Sequence, residues 1–223
     1  MASVDVVIPN YQYGRFLRDC VTSVLTQGIR QLRVLIIDNA STDNSLEIAR
    51  QLSAEDDRVQ VVTHPRNLGH IASFNEGIDW ACSDYFMVLC ADDLLAPGCL
   101  SRAVSIMEQY PTVGLTFGRE LAITTSDAIP NVEYQAEQAR WNILSEPELL
   151  ERLCRTGRPD PSHFMIAGGT AVVRTSAQKQ VGHYGNELPP TPVISRCGSV
   201  SRASALLPRQ IACRESDGII HKS

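Results

Sequence analysis

No apolar run in this chain approaches the ~18 residues of a helical membrane span. No two of its seven cysteines (Cys20, Cys82, Cys90, Cys99, Cys154, Cys197 and Cys213) have C-x-x-C spacing, and their number is odd. That gives no support to a zinc cluster or a disulfide framework. Reduced thiols, several of them buried as small apolar groups, are the expectation. Basic charge is not in excess: the net charge is -5, which sets aside a broad nucleic-acid-binding surface but leaves a local basic patch open. The N-terminus carries no basic-plus-apolar leader. A cytoplasmic protein is expected, with peripheral attachment to a membrane left open. Repeats, low-complexity tracts and clear linkers are also missing. What remains is ordinary globular composition, 43% hydrophobic and 20% charged over 223 residues, enough for one domain with a core of its own.

The first 120 residues alternate strand and helix signals. Apolar runs at Ser3–Pro9, Leu32–Ile37, Arg58–Thr63, Tyr85–Cys90 and Val113–Phe117 predict strands. Between them, apolar residues at helical spacing predict helices over Tyr13–Gln27, from Leu46 to Leu52, over His70–Ala81, and over Pro97–Tyr110 with proline in its first turn. Later signals are sparser: a short helix at Pro147–Cys154, a strand at Ala171–Arg174, a helical turn at Ala177–Val181. Strands apolar throughout and separated by helices predict an α/β fold, with a mostly parallel central sheet flanked by helices.

Ligands of such sheets bind beyond the carboxyl ends of the strands. That selects Pro9-Asn10-Tyr11, Asp38-Asn39 and Asp92-Asp93. The aspartate pair can be read as a helix N-cap with a charged neighbour, or as a site for a hard cation, Mg²⁺ or Mn²⁺, which takes one or two carboxylates plus substrate phosphates. Asp38 can cap its loop or hydrogen-bond a base or ribose; Asp43 reads as a cap. A phospho-receiver would need an aspartate after the third strand and a lysine after the fifth. The third strand here ends Val62-Thr63-His64, and no lysine precedes Lys179. A haloacid-type phosphatase would need D-x-D where Pro9-Asn10-Tyr11 stands. A sugar nucleotidyltransferase would need a glycine-rich, basic loop there.

Five segments in order resemble family 2 glycosyltransferases. Val6-Val7-Ile8-Pro9-Asn10-Tyr11 resembles V-x-I-P-x-Y-N, and Ser23-Val24-Leu25-Thr26-Gln27 resembles S-V/I-L-x-Q. Ile36-Ile37-Asp38-Asn39-Ala40-Ser41-Thr42-Asp43 resembles V-D-D-G-S-T-D. Asn67-Leu68-Gly69 through Phe74-Asn75-Glu76-Gly77 resembles N-x-G through R-N-x-G. Leu89-Cys90-Ala91-Asp92-Asp93 resembles L-D-A-D-D. Gly168 to Arg174, and Val181-Gly182-His183-Tyr184, add a small-residue strand and a V-G-G-Y-like segment. The resemblance implies the GT-A, Rossmann-like fold, a nucleoside-diphosphate sugar donor, a divalent metal and inversion. The acceptor would be a glycan, a lipid-linked or a small molecule; nucleic acid is not implied. By position Pro9 and Tyr11 would line the base pocket, Asp38 would contact the base, Asp92 the ribose or sugar, Asp93 the metal, and Arg66 the diphosphate. Three residues depart from the pattern: Asn39 for the second aspartate, Phe74 for arginine, and Cys90 for the first aspartate of D-A-D-D.

The family supplies its general base from a stretch like H-x-x-D-x-E-x-W-x-R after V-G-G-Y. Here Glu187-Leu188-Pro189 runs into Pro190-Thr191-Pro192-Val193-Ile194-Ser195-Arg196, with no such carboxylate. Glu187 is the nearest surviving candidate; Glu133, His163 and His183 read as structural or surface groups. Residues 190–223 hold five basic and two acidic side chains, so the rest of the chain carries -8. Codons exist for Pro190–Val200 that read H-A-G-D-L-E-M-W-L-R from the third base onward. A reading-frame shift near Pro190 is one hypothesis for the tail. The expected layout is a single domain over 1–189, with a donor half (1–118) and an acceptor-side half (119–189), then an irregular tail (190–223). Two readings follow: an inverting, metal-dependent glycosyltransferase, or a nucleotide-sugar-binding domain impaired by the loss of its base.

Overall fold

A strand without polar positions must be covered on both faces. In the computed structural model, which describes residues 2–123, 141–145, 147–148, 171–185 and 210–222 (119–123 and 210–222 as backbone alone), the apolar runs occupy such positions. Strands β1 (Ser3–Asn10), β2 (Gln31–Asp38), β3 (Val59–Thr63) and β4 (Tyr85–Val88) lie parallel in the order β3-β2-β1-β4. Side chains alternate between the faces. Val4, Val6, Ile8, Val34, Ile36 and Met87 pack with Leu17, Val21, Leu100 and Met107 from α1 (Gly14–Leu25) and α4 (Cys99–Gln109), and α2 (Ser45–Glu55) adds Ala49 and Leu52. Val7, Leu35, Ile37, Phe86 and Val88 form the second face with Ile78 of α3 (His70–Trp80).

Beyond β4 the sheet is mixed. It continues through β8 (Val172–Arg174), β6 (Val113–Ile123), β9 (Gln210–Lys222) and β5 (Asp93–Leu95); β7 (Trp141–Ser145) pairs with β9. Strand β8 runs antiparallel to both β4 and β6, and a short helix α5 (Thr175–Val181) follows it. Within the stretch 190–223, Gln210–Lys222 runs parallel to β6 and antiparallel to β5 and β7. Its ladder partners lie far away in sequence, so local periodicity carries little signal for it. The expected helix at Pro147–Cys154 lies almost wholly outside the described residues.

Several boundaries move: strand β4 ends at Val88, so Leu89 and Cys90 belong to the rim; β6 runs on to Ile123; and α4 starts at Cys99, leaving Pro97 before its N-cap Gly98. Of the four cysteines whose side chains are described, Cys20 alone is buried and Cys82 is exposed.

Helix α3 meets β1 through Gly77. A Cβ there would lie 2.6 Å and 2.9 Å from the two Val7 methyl carbons. Overpacking of this kind costs roughly 1–3 kcal/mol. We expect Gly77→Ala to destabilise the fold by that amount, read as a lower urea midpoint at an unchanged denaturant slope; an unchanged midpoint would mean that α3 shifts freely on the sheet.

Candidate active site

The carboxyl ends of β1 and β2 are bound into one unit. Asn10 and Asp38 are register partners, and both are 2% exposed. Asn10 Nδ2 donates to Asp38 Oδ1 at 2.9 Å and to Ser41 Oγ at 3.2 Å, and Asp38 Oδ2 accepts the Ser41 N–H at 3.1 Å. Gln12 continues the brace, donating to Thr42 Oγ1 at 2.7 Å and accepting the Asp43 N–H. Asp43 accepts N–H groups at the starts of two helices, Gly14 of α1 and Ser45 of α2, both at 3.0 Å. Burial pushes its carboxyl up, yet those bonds outweigh burial and hold it below the usual range. Gln12 (φ 65°) and Ala40 (φ 63°) sit in the left-handed region, uncommon for side-chain-bearing residues and frequent at functional turns. Asn10 Oδ1 is buried and has no hydrogen-bond partner among the described residues.

Next to this unit, β4 ends and the chain turns. The Leu89 N–H still reaches Val7 O at 2.9 Å, and the Asp93 N–H closes the turn on Cys90 O at 3.0 Å. The turn gathers ligand atoms of Cys90, Asp92 and Asp93 within 4.8 Å of one another. Asp93 opens a buried strand and is 6% exposed; α4 begins only at Cys99. The N-cap reading of the pair is therefore corrected. The buried Cys20 thiol donates to Cys90 O at 3.5 Å. Burial pushes the Cys20 thiol well up, and the carboxylates of Asp93 and Asp92 add to it. Two carboxylates fit a hard divalent cation such as Mg²⁺ or Mn²⁺, while the thiol favours softer metals.

The structure brings Asn10, Asp38 and Ser41 together, and Cys90 with Asp92 and Asp93. Asp38 does cap its own loop, through Ser41. Pro9 is half-buried beside Ile37, and Tyr11 is 43% exposed with its ring on the surface. Arg66 is exposed, on the turn after β3. His183 is a surface group bonded to Asp79 at 2.8 Å. Glu187, Glu133 and His163 lie outside the described residues. Asn10, inside the P-N-Y segment, and Gln12, just after it, carry no role of their own in the sequence pattern, where Cys90 stands only as a departure. The R-N-x-G-like and V-G-G-Y-like segments also meet: the Asn75 amide accepts the Tyr184 N–H at 2.8 Å and donates to Tyr184 O at 3.1 Å, and the Phe74 ring packs edge-on against Tyr184.

The model of glycosyl transferase family 2 matches residues 5–180, most of the chain. The chain belongs to this family. Curated relatives include an uncharacterized glycosyltransferase of Nostoc sp., 33% identical over 64% of this chain and 44% of that protein. Chondroitin synthase of Pasteurella multocida is 34% identical over 66% of this chain and 14% of its own length. The chain thus spans less than half of either relative. Among solved structures, residues 1–349 of Staphylococcus aureus TarS in complex with UDP-GlcNAc superpose at a TM-score of 0.73, with 15% identity, over 99% of this chain and 58% of that one. The mannosyltransferase PcManGT of Pyrobaculum calidifontis, in complex with GDP-Man and Mn²⁺, gives 0.68 with 14% identity, over 99% and 56%. At such identity the likeness shows the fold, which is GT-A. For this family 2 chain, the braced β1–β2 loops and the Cys90–Asp93 turn occupy the carboxyl rim of that fold. No helix among the described residues is long and apolar enough to cross a membrane.

Proposed function

We propose that this chain binds a nucleoside-diphosphate sugar at the carboxyl rim and transfers the sugar, with inversion, to an acceptor hydroxyl on a glycan, lipid-linked or small molecule. The observation that carries the reading is the convergence of Cys90, Asp92 and Asp93 beside the Asn10–Asp38 unit. In it Asp93 holds Mg²⁺ or Mn²⁺, Asp92 contacts ribose or sugar, Asp38 the base, Pro9 and Tyr11 line the base pocket, and Arg66 meets the diphosphate. The metal would offset charge on the leaving diphosphate. The exposed Tyr11 ring suits stacking on a base. UDP-GlcNAc and GDP-Man, bound by the two structural neighbours, are the first donors to test. A ligand at 100 times its Kd stabilises a fold by about 2.7 kcal/mol. We expect a metal-dependent rise in melting temperature with one of the UDP-, GDP- or dTDP-sugars. If none stabilises the protein with Mn²⁺ present, the proposal fails.

A second reading is favoured by the sequence at Pro190–Arg196, which offers no carboxylate where the family's base is expected. A well-placed base contributes roughly 10²–10⁴-fold. Under this reading the chain binds donor and transfers it poorly. Binding without sugar release separates the two readings, and resequencing the gene tests the frame: no single-base shift near Pro190 opening D-x-E-x-W would remove that explanation.

A further inference from the structure

His64, the residue after β3, lies outside the set of side chains proposed to touch the donor. Its side chain is 8% exposed, and both ring nitrogens face oxygen: Nδ1 lies 2.8 Å from Asn39 Oδ1, and Nε2 lies 2.6 Å from Glu76 Oε2. Backbone groups settle which atoms these are. The Leu68 N–H donates to Asn39 Oδ1 at 2.8 Å, so that atom is the amide oxygen. Asn39 Nδ2 then donates to Asn67 Oδ1 at 2.8 Å, and the same oxygen accepts the Gly69 N–H at 2.8 Å, so the second amide is fixed as well. A carbonyl oxygen cannot donate, which places a hydrogen on Nδ1; a carboxylate at Glu76, which only accepts, then calls for a second on Nε2.

We propose that His64 donates from both ring nitrogens and is a positioning residue for the donor rim. It ties the end of β2 and the side of α3 to the turn that carries Arg66. The His64 N–H bonds the Asp38 carbonyl at 2.9 Å, so the same residue also fixes the backbone of Asp38. Asn39, a departure from the family pattern, belongs to this network: an aspartate there could accept from Leu68 and His64 but could not donate to Asn67. Among the described residues Glu76, from α3, is the ionisable side chain bonded to the ring; Arg66 lies two positions along the chain, and Asp38 stands across the β2–β3 ladder. The donor role rests on the function proposed above, and the tests keep the two apart.

Long-range ¹H–¹⁵N spectra of the unliganded protein at neutral pH are expected to show hydrogen on both His64 nitrogens. In His64→Gln, amide exchange at Leu68 and Gly69 is expected to accelerate about tenfold or more while Ile36 exchange holds. Affinity for whichever of UDP, GDP or dTDP with Mn²⁺ binds the parent protein should fall roughly tenfold, as losing one or two hydrogen bonds implies. A bare ring nitrogen, or unchanged Leu68 exchange in the variant, overturns the clamp. Faster exchange with unchanged nucleotide affinity overturns the positioning role. A parent protein that binds none of the three nucleotides sinks the donor reading and the positioning role with it, while the ring spectrum and Leu68 exchange still decide the clamp.

Discussion

Asp93→Asn is expected to abolish metal-dependent donor binding, raising the Kd for a nucleoside diphosphate in Mn²⁺ by at least about a hundredfold. The substitution keeps shape and removes charge at a position 6% exposed at the start of β5, so packing there is preserved. The sign of its effect on stability separates a lost metal site from general damage. Without metal, the carboxylates of Asp92 and Asp93 crowd each other within 4.8 Å, a like-charge contact that costs the folded state. In a chelator the variant should therefore melt no lower than the parent protein, while the rise produced by Mn²⁺ disappears. Asp92→Asn is expected to act in the same direction and more weakly, because Asp92 is half-buried and more open to water. Cys90→Ser separates the thiol's part: if Cys90 belongs to the ligand set, the order of preference between Mn²⁺ and Zn²⁺ shifts toward Mn²⁺. A variant at Asp93 that keeps the full Mn²⁺-induced shift would remove this turn from the site.

The parts legible in the sequence were those specified locally. Apart from Asp5 and Arg33, Val4–Ile8, Leu32–Ile37 and Tyr85–Val88 put apolar side chains on both faces, which a covered parallel sheet accommodates; the three rim loops then follow from where the strands end. Strand β5 is three residues long and β9 draws its partners from β5, β6 and β7, so neither leaves a periodic trace. The same limit applies to the site. Asp92 and Asp93 stand out because they are adjacent. Asn39, His64 and Glu76 are separated by 25 and 12 positions and meet only when β2, β3 and α3 are assembled. Asn39 was visible as a departure from a pattern, but its partner was not. Hydrogen-bond directions among side chains are a property of the folded neighbourhood, and no spacing rule encodes them.

The largest stability effect is expected far from the rim, at Asp5 in the middle of β1. A wholly buried carboxylate is tolerated only when its lone pairs are filled. Asp5 accepts from Arg33 Nε and Nη2 at 2.8 and 2.7 Å, from the Cys82 and Ser83 N–H groups at 2.7 and 2.9 Å, and from Ser83 Oγ at 2.6 Å. Arg33 itself stacks over the Trp80 ring at 4.3 Å. Burial pushes the Asp5 carboxyl up, but Arg33, Ser83 and Cys82 together outweigh it, and the group ends below its ordinary value. Asp5→Ala strands all these donors and is expected to cost about 3–5 kcal/mol, a large fraction of the ~5–15 kcal/mol that holds a typical domain. Arg33→Ala should cost about 1 kcal/mol, since its side chain is 36% exposed and water screens the loss. The pH dependence follows from the direction of the shift. A depressed carboxylate stabilises the fold at every pH above the unfolded value of about 3.9, and that contribution is lost as pH falls through the lower folded value. Between neutral pH and about pH 3, urea midpoints of the parent and Asp5→Ala proteins should therefore converge. If Asp5→Ala lies within about 1 kcal/mol of the parent at pH 7, the Arg33 pair is no anchor of this sheet, and the 82–83 turn holds β1 to β4 by other means.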